Sequence, residues 1–182
     1  MLARNPNVAS RVDGLVLSYY EDNSVAKVIT LCQNIRSLRL TPKPHWRNEP
    51  SHFGDAMMET MKTSCRKLEA FEFIDRKNTE YSRFQDLVGE WPALHTLVLA
   101  CATRVILDPE QYPSSFSAKA YRHIEVHHPD IGSLNILLLS SFQSLQHLAL
   151  RIEQTHQCPR ADLLALLQGL TSLVYLGIID NH

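Results

Sequence analysis

One short pattern of apolar residues recurs seven times along the 182-residue chain. The pattern is hydrophobe-x-x-hydrophobe-x-hydrophobe, and its copies begin at residues 12, 35, 68, 94, 121, 145 and 173, the copy at 121 being the weakest. The starts are separated by 23, 33, 26, 27, 24 and 28 residues. A segment this short cannot bury its apolar side chains alone, whereas stacked copies share a continuous core. The repetition therefore predicts an array of similar units.

A helical pattern precedes five of the seven copies. Apolar residues follow the i, i+3, i+4, i+7 spacing at 25–32, 84–91 and 163–170, and less regularly at 58–65 and 131–142. Ser24 is a candidate N-cap for the first of these helices, and Pro159 is suited to the start of the last. Each unit is thus predicted to contain a helix, a turn and a short strand, so that the strands form a parallel sheet and the helices an outer layer.

Composition excludes several classes of protein. Hydrophobic residues make up 45% of the chain, which is enough for a core, and the formal net charge of −1 argues against a nucleic-acid binder. Residues 1–67 carry ten Lys and Arg against six Asp and Glu, and residues 68–182 carry eight against thirteen, which we interpret as ordinary surface variation. The four cysteines form no CxxC pair, and no apolar stretch approaches the roughly 20 residues of a membrane helix. We expect reduced thiols, no membrane association, and a cytoplasmic or nuclear location.

The repeated pattern resembles that of leucine-rich repeat (LRR) proteins, L-x-x-L-x-L-x-x-N/C-x-L, over nearly all 182 residues. The resemblance implies an α/β fold, namely a curved solenoid of about seven irregular repeats with parallel strands on the concave face and helices on the convex face. Only one copy keeps the consensus Asn or Cys, so we expect irregular turns. The residues at that position are Tyr20, Lys43, Arg76, Ala102, Pro129, Glu153 and Asn181.

Two segments, 5–12 and 32–38, look similar to the repeat region of fungal F-box/LRR proteins. In that family an F-box binds a Skp-type adaptor of a ubiquitin ligase and the repeats hold the substrate. No F-box precedes Val12, and no polar capping repeat follows Ile178. We therefore expect residues 1–182 to form a single solenoid domain, truncated at one or both ends, with apolar surface exposed there. A Skp-type adaptor would bind only if an F-box lies upstream. The alternative is a stand-alone LRR scaffold or regulatory protein unrelated to ubiquitin.

Residues that alternate with the buried ones should line the concave face of the sheet. This face is predicted to be mixed in character, which suits a protein or peptide partner better than a nucleic acid; alternatively, its small and apolar residues only accommodate tight curvature. The candidate binding residues are Arg39, Glu72, Val98, His123, Glu125, His147, Arg151 and Tyr175.

Two further features invite a functional interpretation. His123 and His147 occupy equivalent positions on successive strands, about 5 Å apart, and with Glu125 they could hold zinc. No HExxH motif accompanies them, and we interpret them as surface residues. Trp46 lies in a proline-rich loop at 41–50, where it either packs back over the helices or contacts a partner at the rim. No nucleotide-binding or nucleophile motif occurs, so we predict no catalytic residue, metal or cofactor.

Overall fold

Seven parallel strands form one sheet in which the spatial order of the strands is their order along the chain. The computed structural model describes residues 6–19, 22–42, 55–75, 87–101, 119–129, 131–139, 141–152 and 159–180. Within these residues, the predicted α/β class and the parallel pairing are confirmed. The strands are β1 (Gly14–Tyr19), β2 (Ser37–Pro42), β3 (Ala70–Asp75), β4 (Thr96–Cys101), β5 (His123–His127), β6 (His147–Ile152) and β7 (Tyr175–Asp180).

A helix precedes each strand except β5, before which residues 102–118 lie outside those described. Five of these helices have described bounds, and residues 87–90 are also helical. The helix before β7 begins directly after Pro159, as predicted. The helix before β2 begins at Asp22, so Ser24 lies inside its first turn and the N-cap prediction for Ser24 is wrong. Asp22 belongs to a residue type also favoured at helix starts, and it precedes Ser24 in the chain. The bounded helices are Pro6–Ala9, Asp22–Leu31, Asp55–Ser64, Ile131–Leu139 and Arg160–Gln168.

The strand register aligns the repeated apolar positions into two continuous rows. In β2 to β6 every member of these rows is at most 4% exposed, which confirms that they face the core. The first row is Leu15, Leu38, Phe71, Leu97, Ile124, Leu148 and Leu176. The second row is Leu17, Leu40, Phe73, Leu99, Val126, Leu150 and Ile178.

The helices cover these rows from one side and link neighbouring units. Five core-type residues are predicted to end the helical patterns. Cys32, Cys65 and Trp91 are fully buried and Leu170 is 7% exposed, whereas Phe142 is only partly buried. The Trp91 ring contacts Phe71 with ring centroids 5.0 Å apart, and its indole N–H donates to the carbonyl of Met61 at 3.3 Å. One side chain therefore joins a helix, a strand and a turn from successive units, which makes the core continuous.

The same pair of backbone hydrogen bonds occurs at all six junctions between neighbouring strands. The residue before each strand and the first residue of that strand both donate their N–H groups to one carbonyl of the preceding unit. At the first junction Arg36 and Ser37 donate to the carbonyl of Asp13 at 2.7 and 2.9 Å. Because no side chain takes part, the junction tolerates different residues in each unit. The accepting carbonyls are those of Asp13, Arg36, Glu69, His95, Arg122 and Gln146.

The turns that follow the strands are described only in part. Of the residues that replace the consensus Asn or Cys, Pro129 alone lies within the described residues, where it is buried. The prediction of irregular turns otherwise concerns residues outside those described. The sequence His127-His128-Pro129 predicts a turn, but His127 is the last residue of β5 and pairs with Arg151. The turn begins at His128, whose φ of 52° lies in the left-handed region.

Candidate functional site

The face of the sheet opposite the buried rows, here called the open face, carries three rows of side chains in register. All of them are partly or fully exposed except Val98. The first row is Gly14, Ser37, Ala70, Thr96, His123, His147 and Tyr175. The middle row is Val16, Arg39, Glu72, Val98, Glu125, Ala149 and Gly177. The third row is paired in register between β1 and β2, between β3 and β4, and from β5 to β7. Its residues are Ser18, Thr41, Ile74, Ala100, His127, Arg151 and Ile179.

The structure brings the eight candidate binding residues of the sheet onto this one face. Four of them stand in the middle row, three in the first row and one in the third. Trp46, the candidate in the rim loop, lies outside the described residues. The strict alternation of burial, seen as intermediate and buried positions in turn along β5, explains this placement, because successive side chains of a strand point to opposite faces.

Three rings in the first row form a ladder across β5, β6 and β7, here called the ring ladder. The rings of His123 and His147 are stacked, with centroids 5.7 Å apart and planes inclined by 21°. This agrees with their predicted neighbouring positions. The rings of His147 and Tyr175 follow at 6.1 Å and 32°. The ring ladder therefore offers a partner three adjacent ring edges with hydrogen-bonding nitrogens and a hydroxyl.

Gly177 makes room for one end of the ring ladder. A Cβ atom at position 177 would lie 2.9 Å from the hydroxyl oxygen of Tyr175 and 3.2 Å from its Cε1. The Tyr175 ring thus leans over the bare backbone of the residue two positions along its own strand. It nevertheless remains 54% exposed, so it is available to a partner.

Each charged side chain of the middle row has a close polar partner on the open face. The Arg39 Nε atom lies 3.3 Å from a carboxylate oxygen of Glu72, and the His127 Nε2 atom lies 3.0 Å from Glu125 Oε1. Val98 stands between Glu72 and Glu125 on the neighbouring strands. It is only 8% exposed, so it lies on the open face but offers little surface, and its role as a contact residue stays a prediction. Both flanking positions carry longer side chains, which leaves the shorter valine recessed.

A second line of polar side chains at the strand starts was not predicted. Arg36 and Glu69 form an ion pair of 3.0 Å between β2 and β3, and His95 Nε2 lies 4.0 Å from the other oxygen of Glu69. All three residues sit one position after the start of a repeat copy. This constant position within the repeat could have revealed the line from the sequence, because residues at equivalent positions become neighbours once the strands pair.

The described residues contain no group of three His, Cys, Asp or Glu side chains placed to hold a metal ion. Cys32 and Cys65 are buried, and burial raises the pKa of both thiols, that of Cys65 to about 12. A thiol with such a pKa is protonated at neutral pH and is therefore a poor nucleophile. Cys101 ends β4, and Cys158 lies outside the described residues.

No protein-family model matches the chain, and no curated protein matches it. Among the helices that the structure describes, none is long and apolar enough to cross a membrane. The function is therefore inferred from the geometry of the open face and from the pattern of the sequence.

Proposed function

We propose that the protein is a non-catalytic recognition module that binds a protein or peptide on the open face. The observation that carries this proposal is the in-register face itself, on which seven strands present partly exposed side chains of mixed chemistry. The proposal includes an LRR-type solenoid in which the open face is concave. In-register apolar rows and the helices that precede the strands support this architecture.

The chemistry of the open face favours a protein partner over a nucleic acid. Its two arginines, Arg39 and Arg151, are balanced by Glu72 and Glu125, whereas nucleic-acid binding requires an excess of positive charge. Tyrosine and arginine are the residue types that most often anchor protein interfaces. Tyr175 and Arg151 stand on adjacent strands, with Ile179, 58% exposed, on the same face. We place the energetic centre of binding on β6 and β7.

The resemblance to F-box/LRR proteins supports a more specific role, which is substrate recognition within a ubiquitin ligase in the cytoplasm or nucleus. The alternative is a stand-alone LRR scaffold or regulatory protein. Co-purification of the full gene product with a Skp-type adaptor separates the two. The first role requires the adaptor to co-purify through a segment upstream of residue 1. If the full gene product never retains the adaptor, the scaffold role replaces it.

The binding face can be tested by site-specific photo-crosslinking in cells. A photoreactive amino acid at Tyr175 tests the open face, and the same amino acid at Leu164 serves as a matched control. These positions are 54% and 60% exposed in the same unit, but Leu164 lies on the helix Arg160–Gln168. We expect a discrete crosslinked partner from position 175 that is absent or much weaker from position 164. Crosslinking only from the helix position would place the partner elsewhere and overturn the proposal.

A further inference from the structure

The histidines of the open face all lie on two neighbouring strands, β5 and β6. His123 and His127 are the first and last residues of β5, and His147 lies beside His123 at the start of β6. The open face otherwise carries two arginines and two glutamates, whose formal charges cancel. Imidazole changes its charge between about pH 5 and pH 8. Each proton that binds to one of these three rings therefore adds a net positive charge to this part of the open face.

The rings of His123 and His147 are close enough to influence each other's protonation. Their centroids are 5.7 Å apart and their planes are inclined by only 21°. Two like charges at this separation oppose each other, so a proton on one ring makes protonation of the other less favourable. An anion in contact with both rings has the reverse effect, because an opposite charge favours the protonated form of each. The doubly protonated pair is therefore most stable when an anion is bound to it.

The groups around this pair of rings add little negative charge. Glu125 is the one carboxylate that the open face carries on β5 to β7, and its Oε1 atom already lies 3.0 Å from Nε2 of His127. On β4 the neighbour of His123 is Thr96, which carries no charge. The titratable and charged groups that flank the pair are His95 and Arg122 at the strand starts, Glu125, His127 and Arg151 on the open face, and Tyr175 on β7. A carboxylate bound to the pair would thus be surrounded mainly by positive or neutral groups.

The side chains of β6 leave room for a peptide between two donor groups. His147 and Arg151 are exposed, and Ala149 between them has only a methyl group on the open face. The four-residue step from His147 to Arg151 spans about 13 Å at ~3.3 Å per residue. Protonated imidazole and guanidinium groups only donate hydrogen bonds, so both ends of this step require an acceptor. Two carboxylates four residues apart on an extended peptide lie on the same side of its backbone and match the spacing.

We infer that the partner bound at β5 to β7 is an acidic peptide segment whose binding takes up protons. One carboxylate of the segment accepts hydrogen bonds from His123 and His147, and a second, four residues along, accepts from Arg151. This inference rests on the proposed function, because it names the chemistry of the partner and the regulation of the open face. Since the bound carboxylate favours the imidazolium form, the affinity rises as the pH falls through the range in which imidazole titrates, and the segment is released as the pH rises.

Fluorescence anisotropy with labelled peptides tests the inference. The probe is an extended peptide rich in serine and threonine that carries two glutamates four positions apart, and the control peptide has glutamine at both positions. Binding is measured at about pH 6, where glutamate is still ionised, and at about pH 8, where free imidazole is neutral. The glutamate peptide should bind at least about tenfold more tightly at the lower pH, because a rise of one pKa unit on binding corresponds to a factor of ten. The glutamine peptide should bind weakly at both.

Three variants of the chain assign the effect to individual side chains. His123→Gln combined with His147→Gln replaces both titrating rings by neutral amides, so it should remove most of the change in affinity with pH. Arg151→Gln should weaken binding of the glutamate peptide by a similar factor at both pH values, because guanidinium does not titrate in this range. His95→Gln is the matched control, since it removes a histidine that lies outside the open face, and it should change neither the affinity nor its pH dependence. Far-UV circular dichroism verifies that each variant is folded.

Calorimetric titration at neutral pH in two buffers of different ionisation enthalpy measures the proton uptake directly. The native chain should take up protons when it binds the glutamate peptide, and the variant without His123 and His147 should take up fewer. The inference is overturned if the glutamate peptide fails to bind at about pH 6, if both peptides bind equally, or if the variant retains the full change with pH. The crosslink from position 175 decides the proposed function separately. A partner that is captured there but binds without proton uptake would leave the proposed function in place and refute the acidic segment.

Discussion

The sharpest test of the packing compares one substitution at two positions of the same apolar row. Leu97 in β4 is fully buried and is paired with Phe71 and Ile124 on its two neighbours, whereas Leu176 in β7 is 44% exposed. A change from leucine to alanine removes three carbon groups, worth roughly 0.8 kcal/mol each when buried. At Leu97 the residual cavity adds to this, so Leu97→Ala should lower the free energy of unfolding by about 3–5 kcal/mol.

At Leu176 water already reaches nearly half of the side chain and fills the vacated space. Leu176→Ala should therefore cost only about 1 kcal/mol, in proportion to its buried fraction. Urea denaturation followed by circular dichroism and by the fluorescence of buried Trp91 measures both values at concentrations where the chain is monomeric. Hydrogen exchange should also show protection lost in β3 and β5 for Leu97→Ala, because stacked units stabilise their neighbours. Equal midpoint shifts for the two variants would refute the assignment of buried and open ends.

Three further predictions concern individual side chains. Burial raises the pKa of Cys65 to about 12, so the folded chain retains a proton that the unfolded chain releases near pH ~9. The free energy of unfolding should thus fall as the pH rises from about 9 towards 12, and urea midpoints should show a smaller fall for Cys65→Ala. The exposed pair Arg39–Glu72 should contribute only about 0.2–1 kcal/mol in a double-mutant cycle with Arg39→Met and Glu72→Gln; a coupling well above that range would indicate a buried pair. Zinc should leave the melting temperature unchanged, and a zinc-induced rise that His147→Ala abolishes would show that His123 and His147 form a metal site.

The strands were predictable because their signal is local and repeated. Leu97 and Leu148 occupy the same position of the repeated pattern. Parallel pairing in chain order requires only that equivalent positions of successive copies lie side by side. Features that depend on neighbours about 25 residues away were not predictable in the same way. The recessed position of Val98 depends on the long side chains at Glu72 and Glu125, one on each adjacent strand.

Two errors have a different physical origin, because they concern the ends of elements. Ser24 was expected to be the N-cap, but the helix begins two residues earlier, at Asp22. Serine and aspartate are both favoured at helix starts, and the spacing of the apolar residues does not show which of the two begins the helix. His127 was expected in a turn because Pro129 follows two residues later. The strand in fact extends through His127, and the left-handed backbone at His128 makes the turn.

The identity of chain order and sheet order has a consequence for how the protein is made. During synthesis at roughly 5–20 residues per second, successive repeat starts, 23 to 33 residues apart, leave the ribosome at intervals of about 1–7 s. Each strand after β1 is therefore made when its preceding neighbour is already outside the ribosome, and only β1 waits for a first partner that is encoded downstream. The sheet of the nascent chain can therefore form one strand at a time, each new strand pairing with the strand made before it. After β1 and β2, no step requires two distant parts of the chain to find each other.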